Sequence, residues 1–209
     1  MKASVGFIHA GNASRVVAEK ALEQRGKSAV HLVDPTLVDG SAAVFPIDES
    51  RYAAMRARAR EPSAAAERLL ISCSVYNGIA PRLAEEIGVR VDRSDFAAAN
   101  ALCATSGETV GVIVSFRPTL PITVDYLTER FAAAEQQRVL HTSIAADVSP
   151  FDTDPDAYRK SLLQALEPLR DADVLFLSQY TMHAHVDALR QVWGDRPLVS
   201  ALEATVDAL

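Results

Sequence analysis

Leu69-Leu70-Ile71-Ser72-Cys73-Ser74-Val75-Tyr76-Asn77-Gly78 reads as an apolar strand that ends in a cysteine and passes through a polar corner into a helix. An unbroken apolar run of this length marks a strand covered on both faces, as in a parallel sheet. Ile79, Leu83 and Ile87 then recur at helical spacing. The same rhythm extends in both directions. Toward the N-terminus lie strand-like runs at 4–9 and 29–33, a helical pattern over 14–24 with Gly26 as its stop, and another helix over 50–60. Toward the C-terminus come short apolar runs at 89–91, 110–114, 138–142, 173–177 and 198–199. Between them fall an alanine-rich helix through Ala104, a helix over 122–136, one started by Asp154-Pro155, and one carrying Val186, Leu189 and Trp193.

Strands alternating with helices predict an α/β fold with mainly parallel sheets flanked by helices. His9 and Ser115 both close an opening strand, and Cys73 and Gln179 both close a later one, at a shared offset of 106 residues. The chain is therefore expected to form two pseudo-symmetric lobes with an interlobe cleft. The first would span 1–92, with 200–209 packing back on it, and the second 93–199. Ligands of such sheets bind beyond the carboxyl ends of the strands, which gathers His9, Cys73, Ser115 and Gln179 around the cleft.

The chain has 209 residues, 49% of them hydrophobic, and a formal net charge of −6. That is enough to bury a core without staples, and it argues against a nucleic-acid partner. The two cysteines, Cys73 and Cys103, make no disulfide framework. The apolar opening is too short for a signal peptide, and no run reaches the roughly 18 residues that span a bilayer. A cytoplasmic protein with reduced thiols and no membrane partner is the expectation.

A thiol at the corner after Ile71 can feel a helix N-terminus, whose free N–H groups would favour thiolate and lower its pKa. Ser74 and Asn77 can donate hydrogen bonds to a bound carboxylate or enolate. Equally, Cys73 can be a small buried hydrophobe and Asn77 a helix cap. Gln179, in Ser178-Gln179-Tyr180-Thr181-Met182, can donate and accept hydrogen bonds but cannot move a proton as a base. It can also be part of an ordinary capped turn. Ser115 and Thr119 offer hydroxyls in a proline-stiffened loop that can equally be a plain connection. Asn12 follows His9 closely and joins it as a candidate binding residue. Asp34 and Asp92 follow strands and can orient donors or simply shape turns. His31 and His141 read as structural, and His183 and His185 have no metal-ligand pattern around them. Arg51, Arg56, Arg58 and Arg60 read as a solvated helix face, and Cys103 as core. No glycine loop for phosphate is present.

In order and spacing, several segments together resemble the aspartate/glutamate/hydantoin racemase superfamily. They are Gly6-Phe7-Ile8-His9, Val33-Asp34-Pro35-Thr36-Leu37, Ser72-Cys73-Ser74, Arg90-Val91-Asp92, Val110-Gly111-Val112-Ile113, Thr119-Leu120-Pro121 and Leu177-Ser178-Gln179-Tyr180-Thr181-Met182. The resemblance implies two α/β lobes and cofactor-independent proton transfer at carbon next to a carboxylate or carbonyl. It also makes a homo-oligomer an expectation. Two-base members of the family carry one cysteine per lobe. Cys73 matches the first, and Gln179 stands where the second is expected.

The functional expectation is a cofactor-independent, racemase-like isomerase acting on a small carboxylate or amino-acid-like substrate without a metal. Cys73 would be the acid/base and Gln179 the catalytic partner that orients the substrate. His9, Asn12, Ser74, Asn77, Ser115, Thr119, Tyr180 and Thr181 would bind it. The alternatives are a one-cysteine, decarboxylase-like enzyme or a non-catalytic carboxylate-binding protein on the same fold. A cysteine hydrolase would need His9 as its base.

Overall fold

A computed structural model describes residues 3–37, 47–145 and 154–209. The chain divides into two units, Met1–Ser94 with Leu209, and Asp95–Ala208.

The first lobe runs β1 (Gly6–His9), α1 (Asn12–Glu23), β2 (Val30–Val33), α2 (Glu49–Ala65), β3 (Arg68–Ile71), a 3₁₀ turn (Ser74–Ile79), α3 (Ala80–Ile87) and β4 (Arg90–Arg93). Its four strands pair in parallel in the order β2-β1-β3-β4. The second lobe contributes α4 (Phe96–Ala104), β5 (Thr109–Val114), α5 (Thr119–Ala133), β6 (Val139–Ile144), α6 (Pro155–Ala165), β7 (Val174–Leu177), a 3₁₀ turn (Tyr180–His185), α7 (Val186–Trp193), β8 (Leu198–Ser200) and α8 (Ala201–Asp207). Its sheet, also wholly parallel, has the matching order β6-β5-β7-β8.

The local signals act as read. Gly26 takes φ +64° and closes α1, while the Lys27 N–H reaches back to the Leu22 carbonyl at 2.9 Å. Asp154 accepts from the Ala157 N–H at 2.9 Å and caps α6, with Pro155 in the first turn. Central strands β1, β3 and β7 are buried along their length except Arg68. Each lobe places a glycine at the same register of its central strand. A Cβ on Gly6 would stand 3.0 Å from Leu69 Cδ2 and 3.2 Å from Pro62, and one on Gly111 would stand 3.2 Å from Leu169. Both glycines let the covering segment approach the sheet closely.

Four expectations change. Helix α2 continues through Pro62 to Ala65. Residues 201–207, expected with the first lobe, form α8 and group with the second unit, where the Tyr180 hydroxyl donates to Thr205 and Arg190 pairs with Glu203. The arginines of α2 are not simply solvated: Arg56 pairs with Glu86 and Arg58 with Asp34. The symmetry is also one residue out of step at the first strand. The Asp34 N–H bonds the His9 carbonyl as the Ala145 N–H bonds that of Val114, so His9 corresponds to Val114 and not to Ser115.

Among the described residues, no helix is long and apolar enough to cross a membrane. Nor does any group of three or more His, Cys, Asp or Glu side chains stand together to hold a metal ion.

Candidate functional site

In each sheet the chain leaves the first central strand on one side and returns on the other, so a crevice opens at the carboxyl ends between β1 and β3, and between β5 and β7. The residues singled out from sequence sit at these two places.

In the first lobe, Cys73 is the residue before the 3₁₀ turn, with extended backbone (φ −89°, ψ 111°). It keeps partial exposure as a residue, yet its sulfur is surrounded mostly by protein. Burial pushes the thiol up to about 11, against the opposing pull of hydrogen bonds from the Val75 and Tyr76 N–H groups. The shift runs opposite to the one a helix N-terminus would give. The helix α3 starts only at Ala80, so the sulfur meets two N–H groups of a short 3₁₀ turn and not a long helix dipole. Ser74 is buried in that turn.

Asn77 is 1% exposed. Its Oδ1 accepts from the Ser94 N–H at 3.0 Å and from the Ser94 hydroxyl at 3.1 Å. Those two donors fix the amide orientation. The Nδ2 end, turned away from Ser94, has no acceptor among the described residues. A buried donor without a partner is costly, so an acceptor supplied from outside would be held strongly.

His9 is fully buried at the end of β1. Its Nδ1 lies 2.9 Å from Ser72 Oγ and 3.2 Å from Ser14 Oγ, and its Nε2 lies 2.9 Å from His31 Nδ1. Burial and the neighbouring His31 and Arg15 drop it to about 3, so it is neutral near neutrality. His9 thus engages Ser72, and no hydrogen bond links it to the thiol among the described residues. Asn12, exposed at the start of α1, accepts from Arg15 Nε at 2.9 Å. Asp34 accepts from the Thr36 N–H and hydroxyl in a local turn, which holds its carboxyl below the usual range. Asp92 sits within β4 and pairs with Arg90 and Arg68.

In the second lobe, Gln179 is the residue before the matching 3₁₀ turn. Its Oε1 accepts from the Ser115 N–H at 2.9 Å, and its Nε2 donates to Thr119 Oγ1 at 3.1 Å. The amide therefore bridges β7 to the loop after β5. Thr181 Oγ1 lies 3.5 Å from the Tyr158 hydroxyl. That phenol also bonds Ser115, and burial raises its pKa. Tyr180 is 1% exposed and donates to Thr205 at 2.9 Å, inside the lobe's own core.

The structure thus joins His9, Cys73, Ser74 and Asn77 at one strand edge, and Ser115, Thr119, Gln179 and Thr181 at another. Sequence reasoning missed Ser72, His31 and Ser94, which hold the first group, and Tyr158, which joins the second. Tyr158 was masked by its helical spacing with Leu162, which reads as core. His31 was masked by its place in an apolar strand.

No protein-family model and no curated protein sequence matches the chain. Solved structures do. A glutamate racemase from Bacillus anthracis superposes with a TM-score of 0.77 at 16% identity, covering 99% of this chain and 79% of that one. The aspartate racemase of Picrophilus torridus gives 0.72 at 16% identity, covering 100% and 92%. An allantoin racemase from Pseudomonas fluorescens gives 0.68 at 20% identity, covering 98% and 88%. The fold expected from the resemblance is the fold found: two four-stranded parallel sheets flanked by helices, shared with glutamate, aspartate and allantoin racemases.

Proposed function

We propose that the protein is a racemase-type isomerase that makes or breaks a C–H bond next to a carboxylate or carbonyl of a small amino-acid-like molecule, using Cys73 as acid/base. The observation that carries this reading is a partly exposed cysteine at the entry to a short turn that also carries, at Asn77 Nδ2, a buried donor with no acceptor among the described residues.

Proton transfer at such a carbon needs a nearby group to exchange the proton and donors to hold the enolate oxygen. The thiolate form of Cys73, a minor species at neutral pH held by the Val75 and Tyr76 N–H groups, acts first as the base. The substrate C–H bond breaks as an S–H bond forms, and the electron pair stays on the substrate as the enediolate. The reverse step breaks S–H and re-forms C–H, and exchange of the S–H proton with solvent in between brings in deuterium. Asn77 and Ser74 supply donors to the carboxylate. His9 remains neutral and braces the turn, and Asn12 is an outer contact. At the second sheet, Ser115, Thr119, Gln179 and Thr181 supply binding and orientation without proton transfer, and Tyr180 supports them from the core.

The alternative of a one-thiol decarboxylase gains weight from the same raised pKa, since a protonated thiol suits one-sided protonation after loss of carbon dioxide.

Incubation in deuterium oxide with D- and L-glutamate, D- and L-aspartate, allantoin and phenylmalonate tests both readings by proton NMR. Deuterium at the carbon next to the carbonyl or carboxylate, lost in Cys73→Ala, is expected. Deuterated phenylacetate from phenylmalonate alone would select the decarboxylase. Thermal stabilisation by a compound with no exchange would leave a binding protein, and exchange undiminished in Cys73→Ala would remove the thiol from the chemistry.

A further inference from the structure

Two carbonyls bear on where the protons lie in the histidine pair of the first lobe. The Gly11 carbonyl stands 3.0 Å from the Ser14 hydroxyl and the Ile8 carbonyl 3.1 Å from the Ser72 hydroxyl, and each can take that hydroxyl's proton. In the arrangement where they do, adopted from here on, the two serine oxygens face His9 Nδ1 as acceptors. Nδ1 must then carry the imidazole proton. A neutral imidazole has only one, so Nε2 is an acceptor. It stands 2.9 Å from His31 Nδ1, which must be the donor. The rings of Phe7, His9 and His31 stack at centroid separations of 5.2 to 5.6 Å, which fixes the planes and allows neither histidine to turn away.

From this geometry we infer that His31 is a positioning residue: by donating to His9 it sets the tautomer of His9, and through it the orientation of Ser72, the residue directly before Cys73. The inference rests on the reading of Cys73 as the reactive group for its effect on catalysis, but not for the tautomer itself. His31 lies on edge strand β2 and bonds His9. It acts only through the chain His31 → His9 → Ser72. Burial chiefly holds the His9 pKa down, and a proton added to its Nε2 would also face the His31 Nδ1–H.

Long-range proton–nitrogen correlation NMR on the ¹⁵N-histidine-labelled protein near neutral pH tests the chain. His9 and His31 are both expected as Nδ1–H tautomers. His31→Asn keeps an N–H donor near the same place and is expected to preserve the His9 tautomer, with exchange activity within about threefold. His31→Asp presents only acceptors, and should convert His9 to Nε2–H and reverse the bond to Ser72. Deuterium exchange should then fall about tenfold or more, the scale of one lost or inverted hydrogen bond. An Nε2–H tautomer of His9 in the unaltered protein would overturn the inference. So would a converted tautomer in His31→Asp with exchange unchanged. If the unaltered protein exchanges no compound, the functional reading fails, and the tautomers alone decide the role of His31. If His31→Asp does not fold, the unaltered protein and His31→Asn decide it.

Discussion

The two lobes share a frame but not a chemistry. Ser72 donates through its N–H and hydroxyl to the Ile8 carbonyl, and Ser178 does the same to the Ile113 carbonyl, at 3.0 and 3.1 Å against 3.2 and 2.8 Å. Each serine is followed by one residue that immediately precedes a six-residue 3₁₀ turn. At that position the first lobe has a thiol and the second an amide. Beside it the first lobe has a buried histidine at the end of β1, where the second has Val114 at the end of β5. The Gln179 amide is satisfied at both ends, while Asn77 in the first lobe keeps one donor unmatched. Matched backbones thus carry a thiol in one lobe and a fully bonded amide in the other.

The sharpest way to break this contrast is a pair of substitutions measured by deuterium exchange. Cys73→Ala should reduce exchange about a thousandfold, within the usual range for losing a positioned acid/base. Gln179→Ala should reduce it less than about tenfold, while destabilising the fold by about 1–3 kcal/mol in urea melts, because the buried Ser115 N–H loses its acceptor. Equal losses of exchange would erase the asymmetry.

Next in size is the reactivity of the thiol. Raised from 9.0 to about 11, Cys73 holds about a hundredfold less thiolate than an ordinary cysteine at the same pH below that range. Iodoacetamide labelling, followed on the Cys73 peptide by mass spectrometry, should rise about tenfold per pH unit with no plateau below pH 10. An early plateau would mean the turn stabilises thiolate after all.

Acid provides a third comparison. His9 titrates near 3 in the fold and near 6.5 when unfolded, so the unfolded chain binds its proton first. The associated stability is present in full above pH 6.5 and is lost as pH falls toward 3, amounting to about 3 kcal/mol over the first two to three units. Urea melts across that range should show the loss, and His9→Gln should flatten it. The smallest effect belongs to Thr205→Val. It removes the partner of the Tyr180 hydroxyl and should cost about 1 kcal/mol in thermal or urea melts with exchange unchanged.

The alternation of strands and helices was legible because the central strands are short and apolar, and stop and start signals such as Gly26 and Asp154 stand between several of them. Helix α8 escaped because Ala201, Leu202, Thr205 and Val206 follow the last strand with no stop signal between them. The corner at Cys73 was legible as a place, since an apolar run gave way to polar residues there. Its electrostatics were not. The sign of the shift depends on how much protein surrounds the sulfur, and that is set by residues distant in sequence. The histidine chain was hidden for the same reason, because His31 meets His9 only once β2 lies beside β1 in register.

The serine clamps make the following position an interchangeable insert. Because Ser72 and Ser178 tie the strand tip to its neighbour by bonds that never involve the next side chain, that side chain can change from sulfur to amide while the socket keeps its shape. A frame built this way lets new reactivity be tried at one place without refolding the rest.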